Sequence, residues 1–579
     1  MKYSEIIKKN SNLDKLITDK KYSVCVLSNV VMNQMQDVLE YFIREKSIPG
    51  KVFFGEYDNI VQESFKVSDY NLTIIFWEIS NYIDGLHYQV EILEKDKIKD
   101  IEKKIINEID LVFENLKNSS LVLFNKFSSL IFNHKISFSN ELDGMVNRLN
   151  DYLNKKKSSN IHLIDINKVI STIGVSNSVD YRFYNSAKVL YTINFFKAYS
   201  ELILPYVLAA NGKKKKAIIL DCDNTLWKGV IGEDGLRGIN LSSKDPIGKI
   251  YHEIQALALS LKKNYGVLLG ICSKNNLSDI EHVFNEHQDM LIRNEDLAIK
   301  KVNWNDKAQN LKEISEELNI GLDSIVFLDD SDFEIELIKT KIPQVTSIKV
   351  PSKIYEYPTL FREMFSLFFD ISKSAEDKIR TELYKQQNLR NNAKKKINNI
   401  EDFLSSLELS IKLFVDNKDY VPRMAQMTQK TNQFNLTTKR YTEGDITQFI
   451  LNKDYRVFCI SVSDKFGDSG ITGLCILKLD RSEQLAIIDT FLLSCRVIGR
   501  NIEHVFMDTI IKKIKKEKIF KIEAFFKQTL KNEQVRKFYD QFGFKLKYEN
   551  EKIKDYHILI NDYNYNYKNI NYIKILDEK

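Results

Sequence analysis

The chain has 579 residues; at about 150 residues per domain this points to three or four domains. Apolar residues make up 43% and charged residues 28%, and 34 Phe with 28 Tyr exclude a mainly disordered chain. Only 7 Pro and 20 Gly exclude collagen-like and linker-rich designs, and a net charge of +6 over this length gives no electrostatic case for nucleic acid. Six cysteines (Cys25, Cys222, Cys272, Cys459, Cys475, Cys495) lie far apart with no CxxC and no zinc spacing, so a disulfide framework is not expected. The first residues, MKYSEIIKKNSNLDKL, contain no apolar core of a signal peptide, and no apolar run approaches the length of a membrane span. These features predict a cytosolic protein that engages neither membrane nor nucleic acid.

Apolar runs at Tyr22–Leu27, Lys51–Phe54, Leu72–Trp77, Leu121–Phe124 and Ile161–Ile164 alternate with amphipathic stretches such as Asn33–Glu45 and Lys95–Lys117. This spacing predicts a doubly wound parallel sheet over 1–180. Residues 184–212 read as one long helix with a kink at Pro205 and a stop at Gly212, so 181–212 is expected to connect two domains. A second αβ series occupies 213–370, with strands at Ala217–Leu220, Val267–Ile271 and Ser324–Leu328 and helices at Gly248–Lys263 and Lys307–Leu318. Residues 371–399 read as a charged helical connector. From 400 to 579 the pattern is mixed α+β, with strands at Leu407–Phe414, Arg456–Ser463, Gly470–Leu479 and Gln484–Leu492, and an Asn/Tyr-rich tail, NDYNYNYKNINY. The expected class is multidomain α/β.

The densest chemistry lies in AIILDCDNTLWKGVIGEDG, residues 217–235. Four apolar residues deliver Asp221 and Asp223 to the carboxyl end of a buried strand, where αβ sheets place ligands. Two carboxylates one residue apart repel unless a cation lies between them, and Mg²⁺, a hard ion that takes oxygen ligands, suits the pair. A second strand, GVLLGICSKN, ends in Ser273; Lys307 opens a helix in NWNDKAQNL; a third strand, SIVFLDDSDFE, ends in Asp329 and Asp330. DxDxT followed in order by these motifs resembles the haloacid dehalogenase (HAD) superfamily.

That resemblance implies roles. Asp221 is the nucleophile that forms an aspartyl-phosphate, and Asp223 the acid that protonates the leaving oxygen and then the base that activates water. Thr225, Ser273 and Lys307 bind phosphate, while Asp221, the Asp223 backbone carbonyl, and Asp329 or Asp330 hold Mg²⁺. The short gaps from Thr225 to Ser273 and from Ser273 to Lys307 leave no room for a large cap, so the cleft should be open to a bulky or protein-borne substrate. Within the superfamily, LDCDNTLWKGVIGEDG, GICSKNN, NWNDKAQNL and FLDDSDFEIE resemble the FkbH-like family, which handles glycerate for acyl carrier proteins. Where that family has Asn-Pro after the paired Asp, this chain has Ser331-Asp332.

The resemblance extends to both sides. EDKIRTELY (376–384) and RMAQMTQKTNQFNLTTKRY (423–441) are similar to segments that follow the HAD unit in FkbH-like proteins. IIDTFLLSCRVIGRNIE and NEQVRKFYDQFGFK resemble a GNAT acyltransferase, with Arg496 and Gly499 matching its turn, Asn501 departing from its last position, and Tyr539 placed for a thioester contact. Arg496, Gly499, Arg500 and Tyr539 are therefore the expected pantetheine or CoA contacts. Cys495, beside Arg496, Arg500 and a helix start, is a candidate acyl-carrying nucleophile; a buried core cysteine is the alternative. YSVCVLSNVV resembles the first block of SGNH hydrolases, with Ser28 and Asn29 after the strand, but Asp165 is followed by INK and no Asp-x-x-His completes a triad. A degenerate SGNH-like domain for docking or binding is expected.

The resemblance implies an enzyme that dephosphorylates a 1,3-bisphosphoglycerate-like three-carbon acid and loads the glyceryl group onto the phosphopantetheine of an acyl carrier protein. Two alternatives stay open: a phosphatase fused to a CoA-dependent N- or O-acyltransferase acting on a sugar or other small molecule, and a carrier-docking scaffold with a relic HAD unit.

Overall fold

The computed structural model describes residues 1–15, 17, 21–132, 139–371, 383, 386, 389–390, 393, 399–529, 531–563 and 572–577. The connector expected over 371–399 and the EDKIRTELY segment lie largely outside the described residues, as does most of the Asn/Tyr-rich tail. The chain divides into two compact units, one of residues 1–211 with 441–448 and one of 212–440 with 449–579.

The first unit is built on strands β1 (Tyr22–Ser28), β2 (Gly50–Phe54), β3 (Leu72–Phe76), β4 (Val122–Asn125) and β5 (Ile161–Ile164). They pair in parallel in the order β2-β1-β3-β4-β5. Strands buried on both faces read as unbroken apolar runs, as LTIIF does here. The single helix expected over 184–212 is instead two. A short turn of helix, Tyr184–Ala187, ends at Lys188 with φ +52°, and the helix resumes over Ile193–Ala210. The break has a cause in extended backbone: Asp180 N–H donates to Leu190 O (2.8 Å), and Thr192 Oγ1 caps the new start by accepting from Phe195 N–H. The second helix runs through Pro205, and Gly212, at φ +66°, follows its end.

The second unit holds two sheets. Strands β6 (Ala217–Leu220), β7 (Leu268–Ser273), β8 (Leu297–Val302), β9 (Ile325–Asp329) and β10 (Thr346–Lys349) form a parallel sheet in the order β10-β9-β6-β7-β8. The three inner strands are buried throughout. β8 and β10, absent from the expected strands, are edge strands whose half-exposed charged residues hide the apolar signal. The other sheet is mixed and has eight strands: β11 (Ser410–Val415), β12 (Tyr455–Asp464), β13 (Gly467–Asp480), β14 (Leu485–Leu493), β15 (Lys521–Lys527), β16 (Lys545–Glu549), β17 (Ile553–Leu559) and β18 (Lys574–Asp577). Its order is β16-β17-β15-β14-β13-β12-β11-β18, antiparallel except that β14–β15 and β11–β18 run parallel. A helix over Ile502–Lys516 links β14 to β15 and buries Val505, Phe506, Ile510 and Ile514 against the sheet. The multidomain α/β class is thus met by two parallel sheets and one mixed α+β sheet.

Candidate active site

β6 is the central strand of its sheet, and its neighbours decide what surrounds its carboxyl end. Leu220 pairs with Leu328 on one side and with Ile271 on the other, and Asp221 N–H donates to Leu328 O at 3.0 Å. Asp221 therefore emerges between Asp329 at the end of β9 and Ser273 at the end of β7. Lys307 comes from the first turn of the helix Lys307–Glu317, which Asp306 caps by accepting from Ala308 N–H at 2.8 Å.

These side chains meet. Lys307 Nζ lies 2.7 Å from Asp221 Oδ1 and 2.7 Å from Asp329 Oδ2, and Ser273 Oγ donates to the same Asp221 oxygen at 2.8 Å. Carboxylate oxygens of Asp221, Asp329 and Asp330 all lie within 4.8 Å of one another. Three convergent carboxylates, with a loop amide (Ser331 N–H) fixing Asp329 at 2.9 Å, are a hard-oxygen donor set of the kind that Mg²⁺ takes, so the residues fit such an ion. Burial pushes the Asp221 carboxyl up to about 6, against the pull of Lys307, and burial likewise raises Asp329 and Asp330. Burial also works against the Lys307 charge, but Asp221 and Asp329 outweigh it and hold the ammonium above its ordinary range.

Asp223 does not place its carboxylate in this cluster. Its Oδ1 accepts from Trp227 Nε1 (2.9 Å) and Ile231 N–H (3.0 Å), and its Oδ2 from Asn275 Nδ2 (2.9 Å). The Asp223 carboxylate is thus clamped on both oxygens, and its backbone carbonyl is the atom that the HAD resemblance implies for the metal. The turn that allows this places Asn224 in the left-handed region (φ +52°), with its Oδ1 accepting from Gly229 N–H at 3.2 Å. Thr225 is fully buried, and its Oγ1 makes no hydrogen bond among the described residues. Asn275 and Trp227 are the residues at this candidate site that the sequence reading passed over. Asn275 also donates to Ser273 Oγ at 3.1 Å, so one amide ties the Ser273 hydroxyl to the Asp223 carboxylate. Its only signal was its place two residues after Ser273. Cys222 and Cys272 are buried in the two cores flanking this sheet, and burial raises both thiols, Cys272 to about 12.

The residues expected to form a pantetheine site lie in the mixed sheet. Cys495 follows β14 in a short turn and is half-buried; its carbonyl accepts from Asn319 Nδ2 at 2.7 Å. Asn319 precedes β9, whose five residues carry the chain to Asp329; at about 3.3 Å per residue that is roughly 16 Å. The structure thus sets Cys495 at the opposite end of the parallel sheet from Asp221 and does not bring the two together. The free positive charge expected beside Cys495 is reduced as well. Arg500 is buried and pairs with Asp464, which Arg390 also grips through two bonds of 2.7 and 2.8 Å. Arg496 is buried with Nε 3.4 Å from Ser494 Oγ. Gly499 takes φ +79°, a value that favours glycine. Tyr539 is a core residue, 1% exposed, packed on Phe544 and Tyr556, and its buried hydroxyl makes no hydrogen bond among the described residues.

In the first unit Ser28 is a turn residue: its Oγ donates to Val30 O (2.9 Å) and accepts from Val30 N–H (3.1 Å). Asp165 caps the helix Ile166–Ile173, and burial pulls the His162 imidazole, on β5, down to about 4. No hydrolase triad assembles from these residues.

No protein-family model and no curated protein matches the sequence. Among solved structures, the N-terminal part of the protein BF1531 from Bacteroides fragilis, which contains a phosphatase domain and was determined in complex with Mg, is 23% identical with a TM-score of 0.53. It covers 64% of this chain and 100% of that one. The ribosomal-protein-S18-alanine N-acetyltransferase of Escherichia coli matches at 10% identity and TM-score 0.21, over 26% of this chain and 94% of that one. The PaiA N-acetyltransferase of Thermoplasma acidophilum, solved with coenzyme A, matches at 18% identity and TM-score 0.18, over 21% of this chain and 72% of that one. No described helix is long and apolar enough to cross a membrane. The first likeness is one of fold: this chain is similar in fold to a phosphatase-domain protein that binds Mg.

Proposed function

We propose that this chain is a Mg²⁺-dependent phosphatase of the HAD type that acts on a phosphorylated three-carbon acid and passes its acyl group to a carrier-borne thiol. The observation that carries the reading is the meeting of Asp221, Ser273, Lys307, Asp329 and Asp330 at the carboxyl end of three adjacent strands and one helix start. Asp221, Asp329, Asp330 and the Asp223 carbonyl would hold Mg²⁺, which would supply positive charge against the phosphoryl oxygens. Asp221 attacks phosphorus, the P–O bond to the leaving oxygen breaks, and Asp223 gives that oxygen a proton. Water then attacks the aspartyl-phosphate while Asp223 takes the water's proton, and phosphate departs from Asp221. Ser273, Thr225 and Lys307 hold the phosphoryl oxygens throughout, and Asn275 with Trp227 keeps Asp223 aimed.

The finer reading follows from the FkbH-like motifs. A 1,3-bisphosphoglycerate-like donor has a phosphomonoester for Asp221 and an acyl phosphate for transfer. The pantetheine sulfur attacks the acyl carbon, a C–S bond forms, the C–O bond to phosphate breaks, and phosphate leaves with the electron pair and takes up the thiol's proton. An accessible site for a protein-borne arm is supported by Leu277, Trp304 and Phe333, which follow β7, β8 and β9 and are 52%, 69% and 68% exposed. Trp304 Nε1 reaches Asn276 Oδ1 (3.2 Å) and Lys274 Nζ reaches Glu334 Oε1 (2.6 Å), so the three loops adjoin.

The test is the full chain with Mg²⁺, the three-carbon donor and a pantetheinylated carrier protein, read by phosphate release and intact carrier mass. A glyceryl increment on the carrier that needs both donor and enzyme supports the reading. Phosphate release without any increment leaves the phosphatase and removes the transfer.

A further inference from the structure

Parallel strands β14 and β15 pair from Leu485 with Lys521 to Ile488 with Ala524, and there the ladder stops. Asp489–Leu493 and Phe525–Lys527 continue on either side of a fork, and their facing N–H and C=O groups need partners. In a sheet that carries an acyl-transfer fold, such a fork suits an extended arm with amide groups, because main-chain bonding of this kind is how extended ligands add to strands.

Here the chain supplies the arm itself. Leu493 N–H donates to Phe434 O (3.0 Å) and Leu436 N–H to Phe491 O (3.1 Å), the antiparallel pattern of a short strand laid along β14, with Asn435 opposite Leu492. On the other side Lys527 N–H donates to Leu436 O at 2.8 Å, so Leu436 bridges both arms of the fork. Thr437 Oγ1 donates to Asp489 O (2.9 Å), and Asn532 Nδ2 donates to both Asn435 O and Lys527 O (2.9 Å each). Asn435 and Leu436 are fully buried, and the Phe434 ring packs on Phe491 and Phe538. The open end of the fork is also tied to the segment before β9. Cys495, just past β14, is bonded through its carbonyl to Asn319, and Lys531, just past β15, pairs with Asp323.

We propose that the β14–β15 fork is a closed joint, filled by residues Phe434–Thr437 and tied at its open end to the Asn319–Asp323 segment before β9, and that this chain binds no acyl-CoA there. The inference rests on reading the mixed sheet as an acyl-transfer fold, and it selects within the proposed function. A CoA-dependent transferase is excluded, and a carrier-borne thiol meets its acyl donor away from the fork. Displacing the segment would expose Phe434 and Leu436 and strip partners from backbone groups on both strands. Arg500, taken by Asp464, and Tyr539, sealed in the core, agree with a slot that takes no ligand.

The experiment is equilibrium dialysis of the full chain with labelled acetyl-CoA to millimolar concentration, paired with hydrogen-exchange mass spectrometry with and without acetyl-CoA. The expected result is no saturable binding. Peptides containing Leu436, Leu493 and Lys527 should exchange as slowly as those of β12 and β13, unchanged by acetyl-CoA. Saturable binding competed by unlabelled CoA overturns the proposal; loss of protection over 434–437 would then make the segment a displaceable gate. Fast exchange of the segment in the free protein also overturns it. Lys531→Ala, which removes one tie to the Asn319–Asp323 segment, should still not bind, and binding by that variant would show that the filling strand is not the block. Phosphate release measured on the same samples reports on the proposed function separately, since neither readout here depends on Asp221.

Discussion

Asn275 Nδ2 stands 2.9 Å from Asp223 Oδ2 and 3.1 Å from Ser273 Oγ, so the carboxylate proposed to move protons and the hydroxyl proposed to hold phosphate share one amide. A hydrogen bond to a charged group contributes about 1.5–3 kcal/mol, and each 1.36 kcal/mol is about a tenfold change in rate. Asn275→Ala should therefore lower kcat for phosphate release by roughly ten- to a hundredfold with a smaller change in KM. Trp227→Phe, which removes only one of two donors to Oδ1, should cost less. Equal kcat in Asn275→Ala and the parent would show that the amide does not position Asp223.

The proposed nucleophile gives a sharper outcome. Asp221→Asn keeps shape but removes the attacking charge, and it should reduce Mg²⁺-dependent phosphate release to background. Asp223→Asn should slow both half-reactions, by about 10²–10⁴-fold, the range for a positioned acid or base. Undiminished turnover in folded Asp221→Asn would end the assignment.

Lys307 is the one described cation bonded to both Asp221 and Asp329, and all three side chains are almost wholly buried. Removing one partner of a buried pair leaves charge uncompensated, at a cost of about 3–5 kcal/mol. Lys307→Met should lose stability of that order in denaturant melts, and millimolar Mg²⁺ should return part of it by replacing the missing charge. A melt unchanged by the substitution would mean the ion pair does not stabilise the folded chain.

How much of this was legible depended on whether the signal was local. Asp221, Ser273 and Asp329 each end a continuous apolar run, so strand and chemistry announced themselves together. Trp227 meets Asp223 across a turn whose path rests on Asn224 being left-handed, and Asn275 reaches it from the loop after β7, neither of which composition reveals. The break at Lys188 was hidden because the residues around it are helix-compatible, and the contacts that compete with the helix are backbone ones, Asp180 with Leu190, Thr192 with Ser178 and Val31 with Lys188. The filled fork was the least legible. TNQFNLTTK is polar enough to read as a loop, and its partners on β14 and β15 lie some fifty to ninety residues away in sequence.

Ser28 follows the first strand, where the SGNH resemblance would put a nucleophile, yet its hydroxyl is closed on the Val30 backbone. Ser28→Ala should cost about 1 kcal/mol of stability, that of a typical hydrogen bond, and leave phosphate release unchanged. Esterase activity that survives Asp221→Asn and disappears in Ser28→Ala would assign this unit a chemistry of its own.

The acidic cluster makes stability and metal binding depend on pH in opposite senses. Burial raises Asp221 from 3.8 to about 6, and Asp329 and Asp330 move the same way. A carboxyl that holds its proton more tightly in the folded than in the unfolded chain favours folding at low pH. That contribution is complete below the unfolded value and is lost as pH rises through the folded one. Without divalent cation, the site's contribution to stability should therefore fall between about pH 4 and pH 6. Mg²⁺ binds the ionised carboxylates, so it competes with those protons and offsets the loss. The Mg²⁺-induced rise in Tm should be small near pH 5 and grow through pH 7, and the acid limb of phosphate release should shift to lower pH as Mg²⁺ is raised. Scanning calorimetry at matched ionic strength, with and without Mg²⁺, measures the first, and a pH–rate series at two Mg²⁺ concentrations measures the second. A Tm shift of equal size at pH 5 and pH 7 would mean that protons and cation do not compete for Asp221, Asp329 and Asp330, and the metal would have to be placed elsewhere.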